Sequence, residues 1–160
     1  MQRSTRGFIV ITAVLAVIAV AANAQAPDPL VGTWRLDAVK STYKPGPAPK
    51  SYVVSIEAAG AKGLRVSVDA VAADGSPLKF SYTSQRDGKD VPVTGNPAYD
   101  TANVVQSTPR TGTVTYKKAG KAVVTVKTEV SADGKTLTTT ADGTNPQGQA
   151  MHNVLVFNRQ

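Results

Sequence analysis

The chain contains no cysteine. That excludes disulfide staples, thiol catalysis and cysteine metal sites. It also excludes lipid attachment at a leader cysteine. Histidine is nearly as scarce: His152 stands alone, so a histidine-based zinc site has too few ligands. Dense clusters of one charge are missing too. Lys117-Lys118 with Lys121 comes nearest and reads as a hairpin tip. No nucleic-acid motif is present. No phosphate loop or nucleophile elbow occurs. After the first two dozen residues no stretch carries a 3.6-residue apolar period, so no helix layer is expected.

The only long apolar run is Phe8 to Ala22, broken once by Thr12. Arg3 and Arg6 precede it, and Ala22-Asn23-Ala24 follows as an A-x-A cleavage site. This is the layout of a secretory signal peptide over residues 1–24. The run is 15 residues, shorter than the roughly 20 of a spanning helix. Cleavage after Ala24 leaves residues 25–160 as one domain, large enough to bury a core without staples. It also leaves 16 basic and 11 acidic residues, a net charge of +5. A basic face of that size is ordinary, although it would favour anionic envelope surfaces.

Residues 25–31 read as a loose lead-in, with Pro27 and Pro29 opposing regular structure. From residue 32 the texture is rich in Val and Thr, with Gly, Asp and Pro at close intervals. That is strand-and-turn composition. Asp74-Gly75, Asp87-Gly88, Asp133-Gly134 and Asp142-Gly143 each offer a glycine for a tight hairpin turn. Gly60 to Gly63 and Ala119-Gly120 mark two more. Ten strands are expected, at about 33–38, 51–59, 64–71, 77–85, 89–93, 102–107, 113–118, 121–130, 135–141 and 150–158.

Several of these alternate cleanly. Leu64, Val66, Val68 and Ala70 oppose Arg65, Ser67 and Asp69. Leu78, Phe80 and Tyr82 oppose Lys79, Ser81 and Thr83. Val124, Val126 and Val130 oppose Thr125, Lys127 and Glu129. Such a sheet has one wet and one covered face. With no helices to cover it, the sheet must close into a barrel or fold into a sandwich. Sequential hairpins favour an antiparallel up-and-down meander closing into a barrel of about eight to ten strands.

The order of elements resembles the calycin superfamily, the lipocalins and fatty-acid-binding proteins. It is most similar to small exported bacterial lipocalin-like proteins. The residues that carry this are Gly32-Thr33-Trp34-Arg35-Leu36, the Asp-Gly meander, the segment from Tyr82 to Gly95, and Val154-Leu155-Val156-Phe157-Asn158-Arg159. The resemblance implies that Trp34 plugs one barrel end with Arg159 packed over its ring. It departs in two places. Fatty-acid-binding proteins carry a carboxylate-gripping Arg-x-Tyr where this chain has Leu155-Val156-Phe157. They carry a helical lid where this chain has the proline-rich stretch 41–50. A fatty acid held by that clamp is therefore not expected.

Chemistry is sparse. Asp74, Asp87, Asp133 and Asp142 are explained by turns. Glu57, Asp69 and Glu129 fall on outer faces, and His152 shares a face with Val154 and Val156. The aromatics are more telling. Tyr52, Phe80, Tyr82, Tyr116 and Phe157 fall on inner faces. They either fill a core or line a cavity in which phenols orient a guest.

The expected function is an exported barrel, periplasmic or secreted, that binds a small hydrophobic or amphipathic ligand in its interior. No cofactor, metal or reaction is expected. Loops 41–50 and 94–100 are the candidate gates. The rival reading is a cell-envelope structural or interaction module with a filled core, meeting an anionic polymer or a protein partner. An enzyme of the kind some calycin-like barrels host stands third.

Overall fold

A computed structural model describes residues 27–160 of the chain. The expected signal peptide, 1–24, lies outside the described residues. Ten strands follow one another: β1 (Gly32–Leu36), β2 (Ser51–Ala59), β3 (Gly63–Val71), β4 (Pro77–Ser84), β5 (Asp87–Pro92), β6 (Thr101–Thr108), β7 (Thr111–Lys118), β8 (Lys121–Val130), β9 (Thr136–Thr144) and β10 (Ala150–Arg159). Among the described residues there is no helix. All pairings are antiparallel, and the sheet runs β4-β3-β2-β1-β10-β9-β8-β7-β6-β5. The meander therefore closes through β1 and β10, where Trp34 stands opposite Arg159 and Leu36 opposite Phe157.

The two ends of that sheet meet through one isolated bridge, between β4 and the residues that follow β5. Ser81 N–H donates to Thr94 O and Thr94 N–H to Ser81 O, both at 2.9 Å. Gly95 makes the approach feasible. It sits at φ 93°, and a Cβ there would overlap the Lys79 carbonyl. The result is a nearly closed barrel.

Alternation decides which side chains point inward. Leu64, Val68 and Ala70 on β3, and Phe80 and Tyr82 on β4, are buried, while Arg65, Asp69 and Lys79 are exposed. On β8 the buried positions are Val124 and Val130. Asp69 and Lys79, opposite each other in the ladder, pair at 2.7 Å on the outer surface.

One end of the barrel is plugged. Trp34 is fully buried among Leu30, Ile56, Leu64, Val130, Leu137 and Phe157. Its Nε1 donates to Leu30 O at 2.9 Å. The Arg159 guanidinium lies 4.1 Å from the indole centroid. It also donates to Gly134 O, Val31 O and Pro29 O, each at 2.6 Å. Gly32 has φ 148°, and a Cβ there would overlap that guanidinium. The Gly-x-Trp spacing thus leaves room for the arginine and places the indole beneath it.

The lead-in is not loose. Over residues 27–31 it forms a turn, with Val31 N–H donating to Asp28 O at 3.0 Å. Leu30 is buried, and Asp28 pairs with Arg86. The sequence reading missed this because the anchors, Arg86 and Arg159, lie far along the chain.

Two turns also differ from expectation. Asp142-Gly143 lies inside β9, opposite His152 and Met151, and the turn falls at Asn145–Gln149. There Asn145 Oδ1 accepts from Gln147 and Gln149 N–H, and Gly148 takes φ 79°. Asp87-Gly88 already belongs to β5 and carries a bulge. The reversal is centred one residue earlier, where Arg86 itself adopts φ 60°. Ser84 Oγ accepts the Arg86 N–H at 3.0 Å and holds that conformation.

Arg159→Ala should lower the unfolding free energy by about 2–4 kcal/mol, because three carbonyls lose a charged donor and the indole loses its cap. Arg159→Lys should recover only part of it, since one ammonium cannot span all three. Urea denaturation of the three proteins checks both statements.

Candidate functional site

The inward side chains leave a cavity of about 280 Å³ along the barrel axis. Its wall is chiefly aliphatic: Val54, Val66 and Val68 on β2 and β3, Val114 on β7, and Val124 and Val126 on β8. Leu30 and Arg86 border it at the plugged end, and Asn96, Tyr99, Met151 and Asn153 at the other. On β2, β3, β4, β8, β9 and β10 alternation puts every second residue on this wall, so the valine-rich strands make it apolar.

The aromatic residues singled out from the sequence fall into two groups. Phe80, Tyr82 and Tyr116 pack together, Tyr116 meeting Phe80 edge-on at 6.0 Å and Tyr82 at 5.9 Å. Phe157, only 1% exposed, belongs to the plug around Trp34, although it also borders the cavity. Tyr52 links the groups, lying edge-on to Phe157 at 5.6 Å. One aromatic escaped the sequence reading. Tyr99, in the irregular loop 94–100, stacks on Tyr116 at 4.7 Å with the rings 20° apart. No alternation assigns a face to a loop residue. The signal available was the tyrosine itself, placed beside Asn96-Pro97 in a stretch otherwise composed of turn formers.

Burial drives the electrostatics. It is the largest cause pushing up the phenol pKa of Tyr52, Tyr82, Tyr99 and Tyr116. Tyr82 rises to about 12, the Tyr116 hydroxyl holding it back from a larger shift. Tyr52 and Tyr116 rise further, because after burial each feels neighbouring phenols that resist a second negative charge. The four hydroxyls therefore stay protonated and able to donate.

The only charged side chain on the wall, among the described residues, is Arg86. It is already engaged. Its Nη1 meets Asp28 Oδ2 at 2.5 Å, and its Nε donates to Lys62 O at 2.8 Å.

The two candidate gates differ. The first part of loop 41–50 is tied into the wall, through residues 41–44. Thr42 exchanges backbone hydrogen bonds with Val154, His152 N–H donates to Lys44 O, and Val156 N–H donates to Ser41 Oγ. This stretch continues the line of β1 alongside β10 and contributes no residue to the cavity lining. Loop 94–100 contributes Asn96 and Tyr99.

Outside the cavity, His152 Nδ1 lies 2.6 Å from Asp142 Oδ1 on the exposed outer surface. Among the described residues no three His, Cys, Asp or Glu side chains are grouped to hold a metal.

No family model matches the sequence, and no curated protein matches it. Solved structures match in fold. Fluorescent protein UnaG superposes with a TM-score of 0.53 at 16% identity, covering 82% of this chain and 97% of that one. The shared fold is a small antiparallel β-barrel. EF1p2_mFAP2b bound to DFHBI gives a TM-score of 0.50 at 14% identity over 82% of this chain and 94% of its own. Rv2717c from M. tuberculosis gives 0.50 at 16% identity, with 82% and 93% covered. At these identities the likeness is one of fold.

Alkaline titration reads the phenols directly. The unfolded chain releases phenol protons near pH 10, and the folded barrel holds them to higher pH. The contribution of these groups to stability is thus complete below about pH 10 and is lost as pH rises towards their folded pKa values. Tyrosinate absorbance should remain low past pH 10 and then appear together with loss of the barrel's circular dichroism. A smooth rise centred on pH 10 in a still-folded protein would contradict the burial of these hydroxyls.

Proposed function

We propose that this barrel is a non-enzymatic carrier or sensor that holds a small hydrophobic or amphipathic molecule non-covalently in its interior. The observation that carries the reading is the cavity itself, an apolar chamber into which a few protonated phenols converge. Sites of that composition bind by removing apolar ligand surface from water, at roughly 25 cal/mol per Å². The wall brings no metal cluster, and its one charged side chain is engaged elsewhere. Nothing on it pairs a nucleophile with a base.

One barrel of similar fold is bound to DFHBI, and another is a fluorescent protein. These add support for a guest in the interior. The leader at residues 1–24 supports export, to the periplasm or beyond, with the barrel as the mature domain 25–160. Entry is assigned to the side of loop 94–100, because Asn96 and Tyr99 border the chamber while loop 41–50 adds no lining residue and is bonded to β10 through residues 41–44. A chamber of about 280 Å³ weighs against the rival reading of a filled-core envelope module.

Native mass spectrometry of protein purified from its own envelope is the direct test. A reproducible extra mass of a few hundred daltons, released on denaturation, is expected. Val126→Trp should fill the chamber and abolish both that mass and uptake of an apolar fluorescent dye. Its stability cost should stay within about 1–3 kcal/mol, as for other overpacked sites. A bare polypeptide that takes up neither lipid extract nor dye would overturn the reading.

A further inference from the structure

The polar groups that reach the cavity are neutral, apart from the paired Arg86. Tyr52, Tyr82, Tyr99 and Tyr116 present hydroxyls that burial keeps protonated. At the mouth, Asn96 Oδ1 already accepts from Ala98 N–H at 2.8 Å, and Asn153 Oδ1 from Lys44 N–H at 2.9 Å. Each asparagine thus has its oxygen turned to the backbone, and its NH₂ is available to donate. The other polar groups on the wall, Ser84, Gln106, Thr113, Thr128 and Thr139, are neutral. Arg86 is matched by Asp28.

We infer that the cavity selects neutral molecules bearing an acceptor oxygen, of the ketone, ester or quinone kind, and discriminates against carboxylates. The inference rests on the ligand-binding reading above and gives it a chemical class. A carbonyl oxygen meets phenol hydroxyls and asparagine NH₂ groups able to donate to it. A carboxylate gains the same donors but loses its hydration without gaining a cation, since Arg86 is held by Asp28 and Lys62 O. An unpaired charge in an apolar chamber is far costlier than a neutral carbonyl. The volume, about 280 Å³, falls just below the roughly 300–1,000 Å³ of small-molecule sites. It suits a guest of one or two rings, and a flat one can lie along Tyr99 and Tyr116, already stacked with 20° between their planes.

Three probes of one skeleton test this by calorimetry on the purified protein. They are benzylideneacetone (a neutral ketone), cinnamate (the matching carboxylate) and 1-phenyl-1-butene (the same carbon chain without oxygen). At neutral pH the ketone is expected to bind about tenfold tighter than either of the others, the size of one well-made hydrogen bond. Tyr116→Phe keeps the stacked ring and removes the hydroxyl. It should weaken the ketone by about three- to tenfold and leave the hydrocarbon unchanged. Tyr82→Phe probes the same cluster independently should the first variant fold poorly.

Cinnamate binding as tightly as the ketone overturns the inference. So does equal binding of ketone and hydrocarbon, or a ketone affinity indifferent to both hydroxyl deletions. Failure of all three probes in a protein that still takes up the apolar dye also overturns it, and leaves the carrier reading standing. Failure of probes and dye together overturns both.

Discussion

Arg159 joins pieces of chain that are remote from one another in sequence. Its guanidinium holds the carbonyls of Pro29 and Val31 in the lead-in and that of Gly134 in the β8–β9 turn, and it covers the ring of Trp34. A cation can be buried against carbonyls and an indole face because both offer negative potential without a formal charge. Once it is seated, β1 and β10 are in register and the lead-in is fixed over the barrel end. The indole then has no route outward. The cavity above Phe157 exists because this end is sealed, so the geometry of the chamber depends on a contact outside it.

Most of the architecture was legible because a period of two carries so much information. Leu78-Phe80-Tyr82 and Val124-Val126 declare their face without reference to any other part of the chain, and the limits of β2 and β8 followed from the turns beside them. What could not be read depends on partners far away. Leu30 stands among prolines with no periodic neighbours, and its burial is set by Trp34, Arg86 and Arg159. Asp142-Gly143 has turn composition, yet the strand continues through it. The Gly143 backbone lies so close to Val123 and Val124 of β8 that a Cβ would not fit. There the glycine serves close approach and not reversal.

The candidate site was half legible for the same reason. Strand positions put Tyr52, Phe80, Tyr82, Tyr116 and Phe157 on the inner wall, Phe157 also packing into the plug, but Tyr99 came from a loop. The ion pair between Arg86 and Asp28 matters as much as any lining residue and gave no local signal. It removes the one positive charge from a chamber that would otherwise attract anions. Neutrality here is an arrangement of two residues 58 apart in sequence, not a shortage of charge in the chain.

The first and last strands meet. Gln160 N–H donates to Thr33 O at 2.9 Å, and Arg35 stands opposite Asn158. A barrel whose first and last strands are neighbours has no privileged starting point: its connectivity is a ring that happens to be cut between β10 and β1. Closing that cut with a short linker and reopening the chain at the exposed Asn145–Gln149 turn would give a circular permutant with every strand pair intact. In such a permutant Arg159 and Trp34 would change from a contact between the first and last strands into one within a hairpin.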